Sequence, residues 1–218
     1  MELKLIYLSI KNLKGYYFIP LIFLYIVIPI LDIGLINMSG NIENAYLSIF
    51  AEAEKYIPIL SLWWTTFIFK EYIDGDGNEV LYCIDSSSKL KIQHIALIFS
   101  WYIIHVSILF LVYGFFLDNV LLEFLKTVIQ CFFFTSLGYT LIYTLKSTTI
   151  SFMFLIVYEL LCLFIRCEFT KYISIFQGEQ IISMQLIGTK YFIFLLIGIL
   201  FLIIRSEEHT SELQSPSG

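Results

Sequence analysis

Long apolar runs are the feature that most constrains the fold of this chain. Residues 97–116 read LIFSWYIIHVSILFLVYGFF and contain no Asp, Glu, Lys or Arg. A helix of about 20 such residues spans the hydrocarbon layer of a membrane, which is roughly 30 Å thick. This run therefore predicts a transmembrane helix. Because 59% of the whole chain is hydrophobic and only 14% is charged, the same prediction extends to most of its length.

Six runs of this kind predict an all-α fold, a polytopic membrane helical bundle with about six transmembrane helices. The runs are 16–35, 56–69, 92–117, 121–143, 149–165 and 191–204. The second and sixth are short for a full crossing. A membrane β-barrel would instead show segments of about ten residues with alternating polarity, and no run here alternates. We therefore assign residues 16–204 to a six-helix transmembrane domain, preceded by a short segment at 1–15.

The composition changes abruptly after Ile204. Residues 205–218 read RSEEHTSELQSPSG, which is polar and lacks helical periodicity. Residues 205–215 closely resemble the translation of a DNA adapter used in sequencing libraries, so we interpret the tail as non-native. A natural polar cytoplasmic tail is the alternative. Leaving out Arg205 and the glutamates at 207, 208 and 212 changes the formal net charge from −5 to −3, and neither value indicates a nucleic-acid partner.

Basic residues in the loops predict the orientation of the bundle, because cytoplasmic loops are enriched in Lys and Arg. With a cytoplasmic N-terminus, seven basic residues are cytoplasmic and five are extracellular. The seven are Lys4, Lys11, Lys14, Lys70, Lys89, Lys91 and Lys146, and the five are Lys55, Lys126, Arg166, Lys171 and Lys190. We therefore expect both ends of the bundle to be cytoplasmic, with a cytoplasmic loop at 70–91 and an extracellular segment at 166–190. The richness in Ile, Phe, Tyr, Lys and Asn is typical of an AT-rich genome, so we expect a multi-pass protein of the plasma membrane, the inner membrane of a low-GC bacterium.

The cytoplasmic loop contains an acidic stretch with two glycines, KEYIDGDGNEVLYCID at residues 70–85. Asp74, Asp76 and Asn78 have the spacing of the first three ligands in a calcium-binding loop. The tight turn of such a loop needs glycine at its sixth position, where this chain has Glu79. Asp85 also replaces the longer Glu expected at the twelfth position. We therefore do not assign calcium binding to this loop.

The same loop resembles the cytoplasmic segment of ABC-2 type permeases, the membrane subunits of ABC exporters. That segment has a Glu after helix two, a Gly, a short helix with apolar residues, a Pro or Ser region, and a basic residue before helix three. Here those places are filled by Glu71, Gly77, Val80 and Leu81, Ser86 to Ser88, and Lys89, with Ser86 in place of the usual Pro. The resemblance implies that these residues form a coupling helix that contacts a separate ATPase.

The residues of this loop also support a short helix on physical grounds. At helical spacing, Val80, Leu81 and Ile84 share one side, and Glu79 lies beside them. Such a small apolar stripe suits a groove on a partner. The alternative is a solvated loop in which Leu81 and Ile84 only dip into the membrane interface. We therefore count Glu79 and Ile84 among the predicted coupling residues.

The layout of the whole chain resembles the same family, which has a basic amphipathic N-terminal segment, six helices and a small extracellular element between the fifth and sixth. Residues 1–15 would supply the first part, since Leu3, Ile6 and Ile10 lie at helical spacing beside lysines. A plain basic flank to the first helix is the alternative. Residues 166–190 would supply the extracellular element.

The resemblance implies a permease that moves its substrate by conformational coupling to a separate ATPase. The chain has no Gly-x-x-x-x-Gly-Lys-Ser/Thr phosphate loop, no His-Glu-x-x-His zinc site and no Gly-x-Ser-x-Gly nucleophile. We therefore expect no enzyme activity, catalytic residue, metal or cofactor in this chain, with ATP and magnesium bound by the partner. The implied partners are a cytoplasmic ABC ATPase and a second permease copy, in a homodimer or heterodimer within the lipid bilayer. A non-transporting membrane scaffold or sensor component is the alternative function.

His105 in the third predicted span and Glu159 in the fifth are ionisable residues near the middle of the membrane. Such residues usually face the interior of a bundle or a pathway through it. One interpretation is a hydrogen bond between them across the bundle. The other is that each bonds to a nearby Ser, Thr or Tyr. Glu123 and Lys126 are three residues apart in the fourth span, a spacing that predicts a local ion pair.

Overall fold

The computed structural model describes residues 11, 13–73, 88–165, 173–178 and 180–214. All regular elements within these ranges are helices, which confirms the all-α prediction. The long helices are α1 (Lys14–Ser39), α2 (Ile42–Ile73), α3 (Ser88–Tyr113), α4 (Val120–Leu145), α5 (Thr148–Phe164) and α6 (184–214).

Four helices in the described part of the chain are long and apolar enough to cross a membrane. They are α1, the part of α3 from Ile92 to Tyr113, α4, and α6 from Met184 to Ile204. Helix α5 is apolar but has only 17 residues. Helix α2 is long but carries Glu52, Glu54 and Lys55 ahead of its apolar half. The six predicted crossings therefore have four clear counterparts, and the exact number stays a prediction.

The structure corrects the predicted bounds of the second and sixth helices. Helix α2 has 32 residues and is about 48 Å long, which exceeds the thickness of the hydrocarbon layer. The apolar run at 56–69 marks only its second half, because charged residues continue the helix without adding hydropathy. Helix α6 begins at Met184, seven residues before the apolar run, and continues to Gln214. The helix thus extends into the polar tail, and the adapter interpretation of that tail stays a prediction.

Helix α1 departs from regular α geometry at two places. It begins with a 3₁₀ turn at Lys14–Tyr17, and a π turn at Phe23–Val27 lies between Pro20 and Pro29. Proline has no backbone N–H, so Pro20 cannot donate to the carbonyl oxygen of Tyr16 four residues earlier. The indole N–H of Trp63, on α2, donates to that oxygen at 3.0 Å. A backbone group that the proline leaves open is therefore satisfied by a neighbouring helix.

Helix α4 lies in the middle of the bundle and packs against α2, α5 and α6. Its closest approach is at Gly138, where an added Cβ atom would overlap with the side chain of Leu62 on α2 and crowd Leu155 on α5. Both leucines are buried. A glycine at this position therefore lets three helices meet at one point.

The two largest apolar clusters divide the bundle into two sides. On the α1–α3 side, α1 and α3 pack against one face of α2. On the α5–α6 side, α5, the segment at 173–183 and α6 pack against α4. The segment 173–183 is mostly irregular, yet Ile175 is fully buried and Phe176 is 8% exposed. This part of the chain is therefore packed into the bundle and is not a free linker.

Candidate functional site

A cleft of about 2310 Å³ separates α1 and α2 from α5 and α6. Pockets for small molecules usually have volumes of roughly 300 to 1,000 Å³, so the cleft has room for a ligand and for further contents beside it. Much of its wall is aromatic, including Phe23, Trp63, Phe133, Phe152, Phe176 and Phe194. The cleft is therefore a candidate binding space formed by the described residues.

Contacts between its walls close the cleft toward the first turns of α5. The rings of Trp63 on α2 and Phe152 on α5 lie 5.9 Å apart in an edge-to-face arrangement. At the opposite end of α5, the hydroxyl group of Tyr158 donates to the carbonyl oxygen of Ile173 at 2.9 Å. Phe176 and the next residues of that segment line the cleft there. An aromatic contact thus closes one end, and the segment between α5 and α6 borders the other.

Glu159 places a carboxyl group in the wall of this cleft. Its residue is only 7% exposed, and its Oε1 atom has no hydrogen-bond partner. The other glutamate in the wall, Glu52, forms an ion pair with Lys55 at 2.5 Å. Within the described ranges, Glu159 is therefore the carboxyl group of the cleft that has no ion-pair partner.

His105 lies on the other side of the bundle and does not line the cleft. Its Nδ1 atom is 2.9 Å from the hydroxyl oxygen of Tyr25 on α1, and its ring contacts the edges of Trp64 and Trp101. Helix α3 packs on α2 and α4 and also contacts α1 and α6, whereas the main packing partners of α5 are α2 and α4. Of the two interpretations given for His105, a hydrogen bond to a tyrosine is therefore the one observed. No hydrogen bond to Glu159 occurs in the part of the chain that the structure describes.

A buried polar network between α2, α4 and residues 176–178 borders the cleft, and Glu54 is its centre. Glu54 is 2% exposed. Its Oε1 atom accepts hydrogen bonds from the backbone N–H of Gln177 at 2.7 Å and from the side chain of Gln130 at 2.5 Å. Its Oε2 atom accepts a third from the backbone N–H of Gly178 at 2.9 Å. One carboxylate on α2 thus holds the irregular segment between α5 and α6.

Lysines complete this network. The Nζ atom of Lys126 lies 2.6 Å from an oxygen of Glu123 and 3.9 Å from Oε2 of Glu54, and all three residues are buried. The predicted pair of Glu123 and Lys126 is therefore confirmed, with Glu54 as a further partner. On α6, the Nζ atom of Lys190 donates to the carbonyl oxygen of Phe176 at 2.9 Å. Two glutamates and two lysines thus balance each other in charge.

Sequence reasoning missed Glu54 and used Lys190 only to count charges. Both lie beside an apolar run and were assigned to connecting segments, where charged residues are ordinary. Their partners are far away in sequence, 123 residues on from Glu54 in the case of Gln177. The sequence offers only a weak signal for Glu54: it is a glutamate one or two residues before an apolar run, on a helix that begins well before that run.

The predicted coupling residues cannot be compared with the structure in the same way. Gly77, Glu79, Val80, Leu81 and Ile84 lie outside the described residues, as do the proposed calcium-loop positions and residues 1–10. Glu71 lies in the last turn of α2 and Lys89 in the first turn of α3. The coupling helix between them stays a prediction.

In the described ranges, no group of three His, Cys, Asp or Glu side chains is placed to hold a metal ion. Comparisons of the chain with protein families, with curated proteins and with solved structures found no match. Its function is therefore inferred from its own sequence and geometry.

Proposed function

We propose that this chain is the membrane-spanning permease subunit of an ATP-driven exporter of the ABC-2 type. The carrying observation is that residues 173–178, between α5 and α6, pack into the bundle, where Glu54 binds the backbone of Gln177 and Gly178. The family layout has a small extracellular element at this point of the chain. The position and the burial of the segment both support the proposal.

The contacts of this segment stabilise its position in the bundle, which a passive linker would not need. Burying one large apolar side chain such as Ile175 or Phe176 stabilises a structure by roughly 1.5 to 3 kcal/mol. The backbone N–H groups of Gln177 and Gly178 would be unpaired in the bundle without Glu54, and such groups need partners. The segment borders the cleft, so any movement of α2 that shifts Glu54 also shifts one end of the cleft.

The network also supports the proposed up-and-down order of the helices. Lys126 at the start of the fourth span and Lys190 before the sixth are assigned to the extracellular side from loop charges. Glu54 is the neighbour of Lys55, which is assigned to the same side. The segment after the fifth span, with Gln177, belongs to the same side. All of these meet in one cluster, as an alternating six-helix chain would require.

Helix α2 provides a mechanical route from the ATPase to the cleft. It runs without interruption from Ile42 to Ile73, with Glu71 of the predicted coupling region near one end and Glu54 of the network 17 residues before it. In the proposed mechanism, the ATPase binds ATP and magnesium, and its closure moves the coupling helix. Because packed helices move as rigid elements, the tilt of α2 carries Glu54 and Lys55 with it and opens or closes the cleft. A second permease copy in the bacterial plasma membrane completes the pathway.

Co-purification with an ATPase tests this proposal. The chain is expressed in membranes together with each phosphate-loop ATPase that a neighbouring gene encodes. Leu81→Asp and Glu79→Lys are expected to abolish co-purification, because the first puts a charge into the predicted apolar stripe and the second reverses a charge beside it. Asn78→Asp, a polar-to-charged change in the same loop, serves as the matched control and keeps the ATPase bound.

Two results would contradict the exporter proposal. One is a wild-type chain that inserts into membranes but binds no phosphate-loop ATPase. The other is full retention of the ATPase by both Leu81→Asp and Glu79→Lys. Either result would favour the non-transporting scaffold or sensor component.

A further inference from the structure

Among the residues that the structure describes, the charges around the cleft are balanced except at Glu159. Glu52 is paired with Lys55. Glu54 and Glu123 face Lys126, and Lys190 donates to the carbonyl oxygen of Phe176 beside this network. A carboxylate without a counter-ion is unfavourable inside a membrane bundle. The described residues therefore leave the carboxyl group of Glu159 without a positively charged partner.

The wall around this carboxyl group is suited to one class of ligand. Aromatic rings from α1, α2, α4, α5 and α6 line the same space. The faces of such rings attract organic cations, most strongly when water is excluded. Apolar substituents on the cation would be accommodated by the aliphatic and aromatic side chains that make up most of the wall.

We propose that the cleft binds a hydrophobic organic cation, an ammonium or phosphonium group that carries apolar substituents, with Glu159 as its counter-ion. As the substrate class of the exporter, this inference rests on the proposed function. The binding step itself requires no ATPase. Two other carboxyl groups of the bundle have partners of their own. Asp32 accepts a hydrogen bond from Tyr113 at 2.6 Å, and Glu52 forms an ion pair with Lys55.

Binding of tetraphenylphosphonium to the purified full chain tests the proposal. Equilibrium dialysis in dodecyl maltoside, a detergent with an uncharged headgroup, measures the affinity directly. We expect saturable binding to the wild-type chain and a loss of about tenfold or more in affinity for Glu159→Gln, because one desolvated charge pair is lost. Glu159→Asp keeps the charge on a shorter side chain and is expected to restore part of the affinity.

The control variant is Glu43→Gln, the same chemical change at an exposed residue near the start of α2. It is expected to bind tetraphenylphosphonium as the wild type does. Elution volume and the thermal transition of the helical circular dichroism signal report whether each variant is folded. If Glu159→Gln does not fold, binding of two further probes to the wild-type chain still tests the proposal. Neutral triphenylphosphine oxide and anionic tetraphenylborate should both bind more weakly than the phosphonium ion.

Three results would overturn the proposal: no saturable binding to the wild type, equal affinity of folded Glu159→Gln, or binding of tetraphenylborate as tight as that of the phosphonium ion. A lipid headgroup could supply the same chemistry. Phosphatidylethanolamine, added to the micelles, would then displace the phosphonium ion at ratios at which phosphatidylglycerol does not. That displacement would overturn the assignment to a small organic cation.

The result also separates this inference from the exporter proposal. If the phosphonium ion does not bind but the ATPase co-purifies, the exporter proposal stands and only the substrate class is wrong. If the ion binds through Glu159 and no ATPase is found, the site stands and the export function is wrong.

Discussion

The α1–α3 side and the α5–α6 side of the bundle treat buried polar groups in different ways. On the α1–α3 side, Asp32 accepts from Tyr113, and the hydroxyl group of Tyr102 donates to the carbonyl oxygen of Ile57 at 2.7 Å. On the α5–α6 side, Glu159 faces a wide cleft without an ion-pair partner. Paired groups hold helices together, whereas an unpaired one carries a free energy penalty unless a ligand completes it. Among the described residues, the comparison therefore contrasts Asp32, which has a hydrogen-bond donor, with Glu159, which has no ion-pair partner.

Loss of Glu54 is expected to give the largest effect, since it detaches the α5–α6 side from α2. Glu54→Leu leaves Lys126 with one carboxylate fewer and the N–H groups of Gln177 and Gly178 without acceptors. Removing one partner of a buried charge network costs about 3 to 5 kcal/mol. Thermal unfolding of the detergent-solubilised chain measures this loss.

The matched control for Glu54→Leu is Glu43→Leu, at an exposed position of the same helix. We expect it to change the free energy of unfolding by about 0.5 kcal/mol or less. Limited proteolysis adds a local readout, because cleavage near residues 173–178 should increase in the Glu54 variant. Equal stability of the two variants would show that the network does not hold the segment.

Gly138→Ala is expected to disturb the point where the two sides meet. The new methyl group would overlap with Leu62 and crowd Leu155, two buried side chains with little room to move. Overpacking of this kind costs about 1 to 3 kcal/mol. Gly34→Ala is the matched control on α1, because no atom lies within 4 Å of its added Cβ atom. A variant at Gly138 as stable as the one at Gly34 would contradict the close approach of α2, α4 and α5.

Opposite signs are expected when the two membrane carboxyl groups are each replaced by leucine. Glu159→Leu removes an unpaired group from an apolar wall and should raise the free energy of unfolding by about 1 to 2 kcal/mol. Asp32→Leu breaks the bond to Tyr113 and should lower it by a similar amount, about 1 to 2 kcal/mol. Thermal unfolding without added ligand compares them. A destabilised Glu159→Leu variant would mean that Glu159 supports the fold.

The sequence predicts the helices of this fold better than it predicts which side chains contact each other. Apolar runs indicate α1, α3, α4 and most of α6, because crossing a membrane requires them. A spacing of three residues likewise indicates the pair of Glu123 and Lys126. The partner of His105 and the role of Glu54 depend on helix packing over 80 and 123 residues of chain. No local pattern carries that information, so the cleft and its network emerge only from the structure.

The smallest effect is expected on the α1–α3 side, from Trp63→Phe. The phenyl ring keeps most of the contact with Phe67 and Phe152, but it has no N–H group to donate to the carbonyl oxygen of Tyr16. Residue 20 is proline and cannot donate to that oxygen in the α-helical pattern, so the change should cost about 1 kcal/mol.

Trp101→Phe is the matched control for this change. The indole N–H of Trp101 donates to the hydroxyl group of Tyr17 at 3.1 Å, at a position 41% exposed. A hydroxyl group can rotate to another partner, whereas the carbonyl oxygen of Tyr16 is fixed in the backbone. Trp101→Phe should therefore cost less than Trp63→Phe in the same thermal unfolding measurement. The reverse order would mean that ring packing alone holds the start of α1. Hydrogen bonding of polar groups would then not explain how the helices of the α1–α3 side are held together.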